Sequence, residues 1–177
     1  MREKCFSILN LIPLVLFFAY ILIFVLSIPQ SDITMSFIPA GNLMLNGQSP
    51  YIINETRPFI YWPPALWVFL PFALVPFAHQ IFTVINVILL VLTLRRLELS
   101  SWWYIYPPVL YSIAAGQLDI LVLWLSVEAY VRRLQNSSII IIFLAILLKP
   151  QTALFWTLPW FFGQPNYRRR LRSICVG

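Results

Sequence analysis

Residues 8–28 form an apolar run without a single charged side chain. As a helix the run is roughly 30 Å long, the thickness of a bilayer core. The chain then turns polar at Pro29-Gln30-Ser31-Asp32 and stays turn-rich and edged with aromatics as far as Tyr61-Trp62-Pro63-Pro64. A second apolar stretch, residues 63–94, is roughly 48 Å long if wholly helical, too long for one crossing. Pro71 and Pro76 interrupt it, because proline lacks a backbone donor and restricts the residue before it. The expectation is therefore a re-entrant or interfacial arm over residues 63–77 and a span over residues 79–94. Further on, Ala115-Gly116-Gln117, with Asp119 just beyond, breaks the stretch between Arg96 and Arg132. Lys149-Pro150-Gln151 breaks the run at residues 139–162 and leaves arms at 138–148 and 152–162, each shorter than the ~20 residues of a full span. The pattern predicts an all-α, polytopic transmembrane helix bundle of about six spans plus the arm, with residues 1–177 as one transmembrane domain.

Composition agrees with the pattern. Hydrophobic residues make up 60% and charged residues 10%, so a water-soluble fold carrying one anchor is a poor fit. The first run is long, and no small-residue cleavage site follows it before Asp32, unlike a cleaved signal. The formal charge of +6 lies in short blocks between apolar segments, a distribution that sets membrane orientation and does not imply nucleic acid. Cys5 and Cys175 lie near basic residues at opposite ends of the chain and form no disulfide framework.

The basic blocks are Arg2 with Lys4, Arg95-Arg96, Arg132-Arg133, and Arg168-Arg169-Arg170 with Arg172. If all four are cytoplasmic, an even number of passes separates each from the next. Asp32, Arg57, Gln117, Asp119 and Lys149 then fall on the outer side. The expected location is a multi-pass plasma-membrane protein with basic loops in the cytoplasm. Between two short arms the Lys149 turn is recessed in the outer leaflet, where non-helical backbone needs protein or water beside it.

Each candidate residue also has a plainer reading. A lone aspartate in a loop is more often solvated or a helix cap than a base. Lys149 within an apolar run marks a site, a pair or a snorkelling side chain. Asp119 is placed to pair with it across neighbouring helix ends. His79 and Glu128 read as hydrogen-bonding groups within the bundle, and the aromatics, Tyr61-Trp62 above all, as an interface belt. Asn54-Glu55-Thr56 and Asn136-Ser137-Ser138 match the weakly specific glycan-acceptor pattern. No phosphate-cradling glycine loop, Cys/His metal spacing or serine nucleophile elbow occurs, and one histidine leaves triad chemistry without partners.

Asp32, Gly47-Gln48-Ser49-Pro50-Tyr51, Tyr61-Trp62-Pro63-Pro64, Leu70-Pro71, Val75-Pro76, Pro108, Gly116-Gln117 and Leu148-Lys149-Pro150-Gln151 occur in that order. This succession resembles the N-terminal half of GT-C glycosyltransferases, most nearly glycosyltransferase family 87, whose members use polyprenyl-phosphate mannose. The resemblance implies a membrane glycosyltransferase that moves a hexose, mannose by analogy, from a lipid phosphate to an acceptor hydroxyl on the outer side. It implies Asp32 as catalytic base and Lys149 near the donor phosphate; the chemistry of the residues present adds Arg57 beside Lys149 on that phosphate, and Gln117, Asp119 and Tyr51 as substrate-binding residues. Partners are the polyprenyl-phosphate sugar and membrane lipids, with no nucleic acid. No cofactor is expected, and no spacing indicates a divalent metal.

The acidic position is a single aspartate, Asp32-Ile33-Thr34, where some relatives carry a paired Asp-x-Asp. Such enzymes are also longer, with further spans. The expectation is accordingly the N-terminal part of a longer module, a piece of a split enzyme whose second chain supplies C-terminal spans, or a truncated, non-catalytic membrane subunit. A transporter built on broken helices is a further alternative, but it calls for an inverted second half with matching breaks, which the sequence lacks.

Overall fold

In a computed structural model the placement of residues 11–25, 31–51 and 60–162 is described, and most of these residues are helical, without a strand among them. Helix α1, Leu11–Tyr20, carries Pro13 and widens into a π-helical turn at Ile21–Val25. A second π-helical turn, Ile33–Phe37, runs into α2, Ile38–Leu45. The segment after Asp32 is thus a helix for thirteen residues, not the turn-rich loop expected from the sequence; its apolar side chains Ile33, Phe37 and Ala40 are buried in the core. Helix α2 ends at Gly47, whose φ of +71° lets Gly47 N–H reach Met44 O (3.0 Å) and Gln48 N–H reach Leu43 O (2.8 Å).

Helix α3, Pro63–Ala73, starts on two prolines and continues through Pro71, correcting the expected break there. Its last turn closes by Leu74 N–H to Pro71 O, and Pro76 falls in the turn beyond. Pro71 sits near the C-terminal end of the helix, where only the preceding turn has to accommodate its ring. Helix α4, Ala78–Arg96, is about 28 Å long. After a 3-10 turn at Ser101–Ile105 come α5, Pro107–Ala114; α6, Asp119–Val131; α7, Ser137–Leu148; and α8, Pro150–Phe162. The breaks expected at Gly116 and Lys149 are both present.

Two apolar clusters organise the packing. In one, Phe37 stacks on Phe69 at 3.9 Å between centroids, and Phe69 meets Phe82 at 5.3 Å, with Leu118, Val122 and Leu148 closing around them. In the other, Phe17 of α1 meets Tyr104 at 5.3 Å beside Leu90, Leu94 and Ile113. Stacked and tilted aromatic pairs of this kind each contribute about 0.5–1.5 kcal/mol beyond the area they bury.

Helix α4 buries polar and apolar side chains together and exposes apolar ones: His79, Thr83, Asn86 and Thr93 are buried beside Phe82, Leu90 and Leu94, while Ile81, Val84, Ile85, Ile88 and Leu92 are exposed. The Asn86 amide and the Thr83 hydroxyl lack a hydrogen-bond partner among the described residues. Val15, Leu16, Leu22, Trp67, Ile140, Phe143, Phe155 and Leu158 extend this exposed apolar surface around the molecule.

Of the about six spans expected, α4 is the only helix among the described residues that is by itself long and apolar enough to cross a membrane. Helices α5 and α6 meet that standard together, bent by 119° at the intervening break. The apolar helices Ile33–Leu45, Pro63–Ala73 and Ser137–Leu148 are shorter because Asn46-Gly47, the turn after α3 and Lys149-Pro150 interrupt them.

Candidate functional site

Gly116 is the pivot of the site. The α5 helix ends in the turn at Ala115-Gly116-Gln117, with Gly116 at φ +64°, Gly116 N–H on Ile113 O (3.1 Å) and Gln117 N–H on Ser112 O (3.0 Å). Glycine is needed for two reasons: the left-handed backbone, and the space, since a Cβ here would lie 3.2 Å from Ser31 Cβ and 3.3 Å from its hydroxyl. The segment before the π-helical turn therefore rests directly on the α5/α6 break. Asp32 N–H donates to Ala115 O at 2.7 Å and ties the two together.

Ser31 is held from the other side by α4. Its Oγ lies 3.0 Å from His79 Nδ1, and His79 Nε2 lies 2.9 Å from Val25 O. A carbonyl only accepts, so Nε2–H donates to Val25, which leaves Nδ1 of the neutral ring to accept from the Ser31 hydroxyl. The buried His79 thus joins the end of the first helical run to the residue next to Asp32. This is the role as a hydrogen-bonding group that the sequence suggested for it.

Held in this way, Asp32 presents a half-buried carboxylate toward the break. Gln117 Nε2 donates to Asp32 Oδ2 at 3.4 Å, a long contact. Asp32 occupies the N-cap position of the π-helical turn, but its side chain makes no capping hydrogen bond.

The second half of the site forms where α7 stops. Pro150 bars helical geometry from the residue before it, and Lys149 adopts φ −152°, ψ 85°. Its N–H closes α7 on Ala145 O, while its own carbonyl accepts from Thr152 and Ala153 and opens α8. The largely buried Lys149 side chain reaches Asp119 at the start of α6, with Nζ 2.7 Å from Oδ1. The Thr152 hydroxyl donates to the same oxygen at 3.0 Å.

Tyr61 couples the two halves. Burial, then the Asp32 carboxylate, then the Asp119 carboxylate push its phenol up to about 12, so its hydroxyl lies within electrostatic reach of both acids. Its ring packs against Phe37 at 4.9 Å, and its main-chain oxygen accepts from the Tyr51 hydroxyl at 3.0 Å. Asp32, Gln117, Asp119 and Lys149 therefore converge at one end of the bundle, with Tyr51 at the exposed rim; Arg57 lies outside the described residues.

Sequence reasoning missed Tyr61, which it assigned to the aromatic belt, and Thr152. Thr152 carried a local signal, since it stands three residues after Lys149 in the first turn of the restarted helix. Tyr61 carried none, because its role depends on Phe37 and on two acids distant in sequence.

The opposite end of α6, about 20 Å away, is basic. Glu128 bridges Arg132 (2.9 Å) and Arg96 (3.4 Å), which brings two of the basic blocks together away from Asp32. These arginines are about half exposed, so each pair contributes only about 0–1 kcal/mol; their information is positional. Among the described residues, no three His, Cys, Asp or Glu side chains converge to hold a metal ion.

Chemically, the site offers a carboxylate able to accept a proton, an amide and a neutral phenol as hydrogen-bond donors, and a cation matched by its own acid. No protein-family model matches the sequence, and neither a curated protein nor a solved structure matches it.

Proposed function

We propose that the protein is a multi-pass membrane glycosyltransferase of GT-C type that transfers a hexose from a polyprenyl phosphate to an acceptor hydroxyl outside the cytoplasm. The observation that carries this reading is the meeting of Asp32 with the Lys149–Asp119 pair around Tyr61, at the end of α6 opposite the arginines. Membrane residence is supported by the apolar outer face of α4, opposite buried polar groups, and by the exposed apolar side chains on the other helices. In the proposed bundle of about six passes, the short broken helices pair up as spans, and non-helical backbone at the breaks is sheltered by protein.

In the proposed reaction, the acceptor oxygen attacks the anomeric carbon as its proton passes to Asp32. The bond from that carbon to the phosphate oxygen breaks, and the electron pair leaves with the lipid phosphate. Attack opposite the departing group inverts the anomeric centre. Lys149 meets the charge growing on the phosphate in surroundings of low dielectric, where a fixed cation counts for more than in water. Gln117 and the neutral Tyr61 phenol are donors for sugar hydroxyls.

Transfer of radiolabelled mannose from polyprenyl-phosphate mannose in reconstituted vesicles tests this. Asp32→Asn should lower the rate by about 10²- to 10⁴-fold while insertion into the membrane is unchanged. Near-normal transfer by that variant would remove Asp32 from the role of base.

One observation favours a second reading, that of a non-catalytic membrane subunit. Lys149 is already matched by Asp119, so the pair is complete as a helix-to-helix tie without any ligand. On that reading, the chain alone transfers no sugar, and Asp32→Asn has no effect on the activity of the complex it joins.

A further inference from the structure

Asp119 Oδ1 occupies a position with two converging donors, the Lys149 ammonium at 2.7 Å and the Thr152 hydroxyl at 3.0 Å. An ammonium and a hydroxyl on the first turn of a helix are a donor set suited to a phosphate oxygen. The Lys149 side chain is only 11% exposed, so the ammonium has lost most of its water and needs an anion at all times. Asp119 is more open, at 24%, and stands at the start of α6, where a carboxylate can turn toward solvent while still interacting with the helix dipole.

We infer that Lys149 Nζ and Thr152 Oγ1 form an oxyanion subsite for a lipid-borne phosphate, a diester in the donor and a monoester once the sugar has left, and that Asp119 is a built-in anion filling this subsite at rest. The inference rests on the reading of Lys149 as the phosphate-binding residue and adds two things: Thr152 as a second donor, and exchange of one anion for another as the binding step. An incoming phosphate displaces the Asp119 carboxylate, takes over both donors and leaves the cation paired throughout. The exchange keeps a bare ammonium from appearing in an apolar setting, at the expense of affinity for the ligand. Asp119 accordingly weakens phosphate binding, the opposite of what a substrate-binding residue would do.

Calorimetric titration of the full chain in detergent micelles with farnesyl phosphate and, separately, with inorganic phosphate tests this. Asp119→Asn removes the competing charge and should tighten binding by about tenfold. Thr152→Val in the Asp119→Asn background should reverse part of that gain, and Lys149→Met should abolish binding. If Asp119→Asn does not fold, Asp119→Ser carries the same expectation and keeps a hydroxyl for the ammonium. Binding of farnesyl phosphate alone identifies a lipid-borne headgroup as the ligand, and equal binding of both probes identifies free phosphate. Unchanged or weaker binding in the Asp119 variants, with Lys149→Met still abolishing it, overturns the exchange while sparing Lys149 as the phosphate residue. Unchanged binding in Lys149→Met overturns the parent reading as well.

Discussion

Ser31 Oγ and His79 Nδ1 lie 3.0 Å apart, joining the residue before Asp32 to the start of α4 across 48 positions of sequence. With His79 Nε2 on Val25 O and Asp32 N–H on Ala115 O, three segments meet at one peptide. The position of the Asp32 carboxylate is therefore set by residues that do not themselves reach into the site.

His79→Ala leaves the Ser31 hydroxyl and Val25 carbonyl without their partner and should cost about 1–3 kcal/mol of stability. Its transfer rate should fall further than the loss of folded protein explains, because Asp32 is no longer held. Thermal unfolding in detergent alongside transfer assays on the folded fraction separates the two effects. A rate that simply tracks the folded fraction would limit His79 to a structural role.

Gly116→Ala should be more damaging than Gly47→Ala. Both positions have a left-handed φ, which carries a penalty of roughly 1–2 kcal/mol for a residue with a Cβ. Only at Gly116 does the added methyl also meet Ser31, at 3.2 Å, whereas nothing lies within 4 Å of a Cβ at Gly47. Equal falls in unfolding temperature for the two variants would show that the contact with Ser31 is unimportant.

The meeting of Arg96 and Arg132 at Glu128, at the far end of α6 from Gln117, makes a topological prediction. In a background lacking Cys5 and Cys175, cysteines at Ser49 and Gln117 should react with an impermeant thiol reagent in intact cells, and one at Asn166 should not. Labelling confined to Asn166→Cys means that the bundle is inverted.

Tyr61 gives the fold a dependence on alkaline pH. Its folded value of about 12 lies above the ordinary 10.0, so the folded state holds the phenolic proton more tightly than the unfolded chain does. That stabilisation is fully present below pH 10 and is lost as pH rises through about 12. Tyr61→Phe should unfold at a temperature that changes less over this window than that of the unsubstituted protein. Parallel melting curves for the two would contradict the burial of this phenol beside two acids.

The helical class, the breaks at Gly116 and Lys149, and the long apolar helix α4 were legible in the sequence, because each follows from local rules. Apolar runs without charge form helices, a glycine admits a left-handed turn, and a proline unwinds the residue before it. The same rules misjudged residues 33–45 and Pro71. Thr34, Ser36, Gly41 and Asn42 make the first segment look like a loop, yet burial of Ile33, Phe37 and Ala40 against α3 outweighs weak propensity. At Pro71 the proline falls so late in α3 that the helix has only two residues left to form.

Asp32, Gln117, Asp119 and Lys149 were recognisable one at a time, as polar groups stranded among apolar ones. Their convergence was decided by tertiary structure alone. It depends on the approach of Ser31 to Gly116, on His79 reaching back to Val25, and on α6 and α8 starting side by side so that Asp119 meets Lys149 and Thr152. These are contacts between segments separated by 30 to 85 positions. Spacing along the chain carries no information about them, because packing of the two apolar clusters, not local backbone preference, sets which helix ends become neighbours.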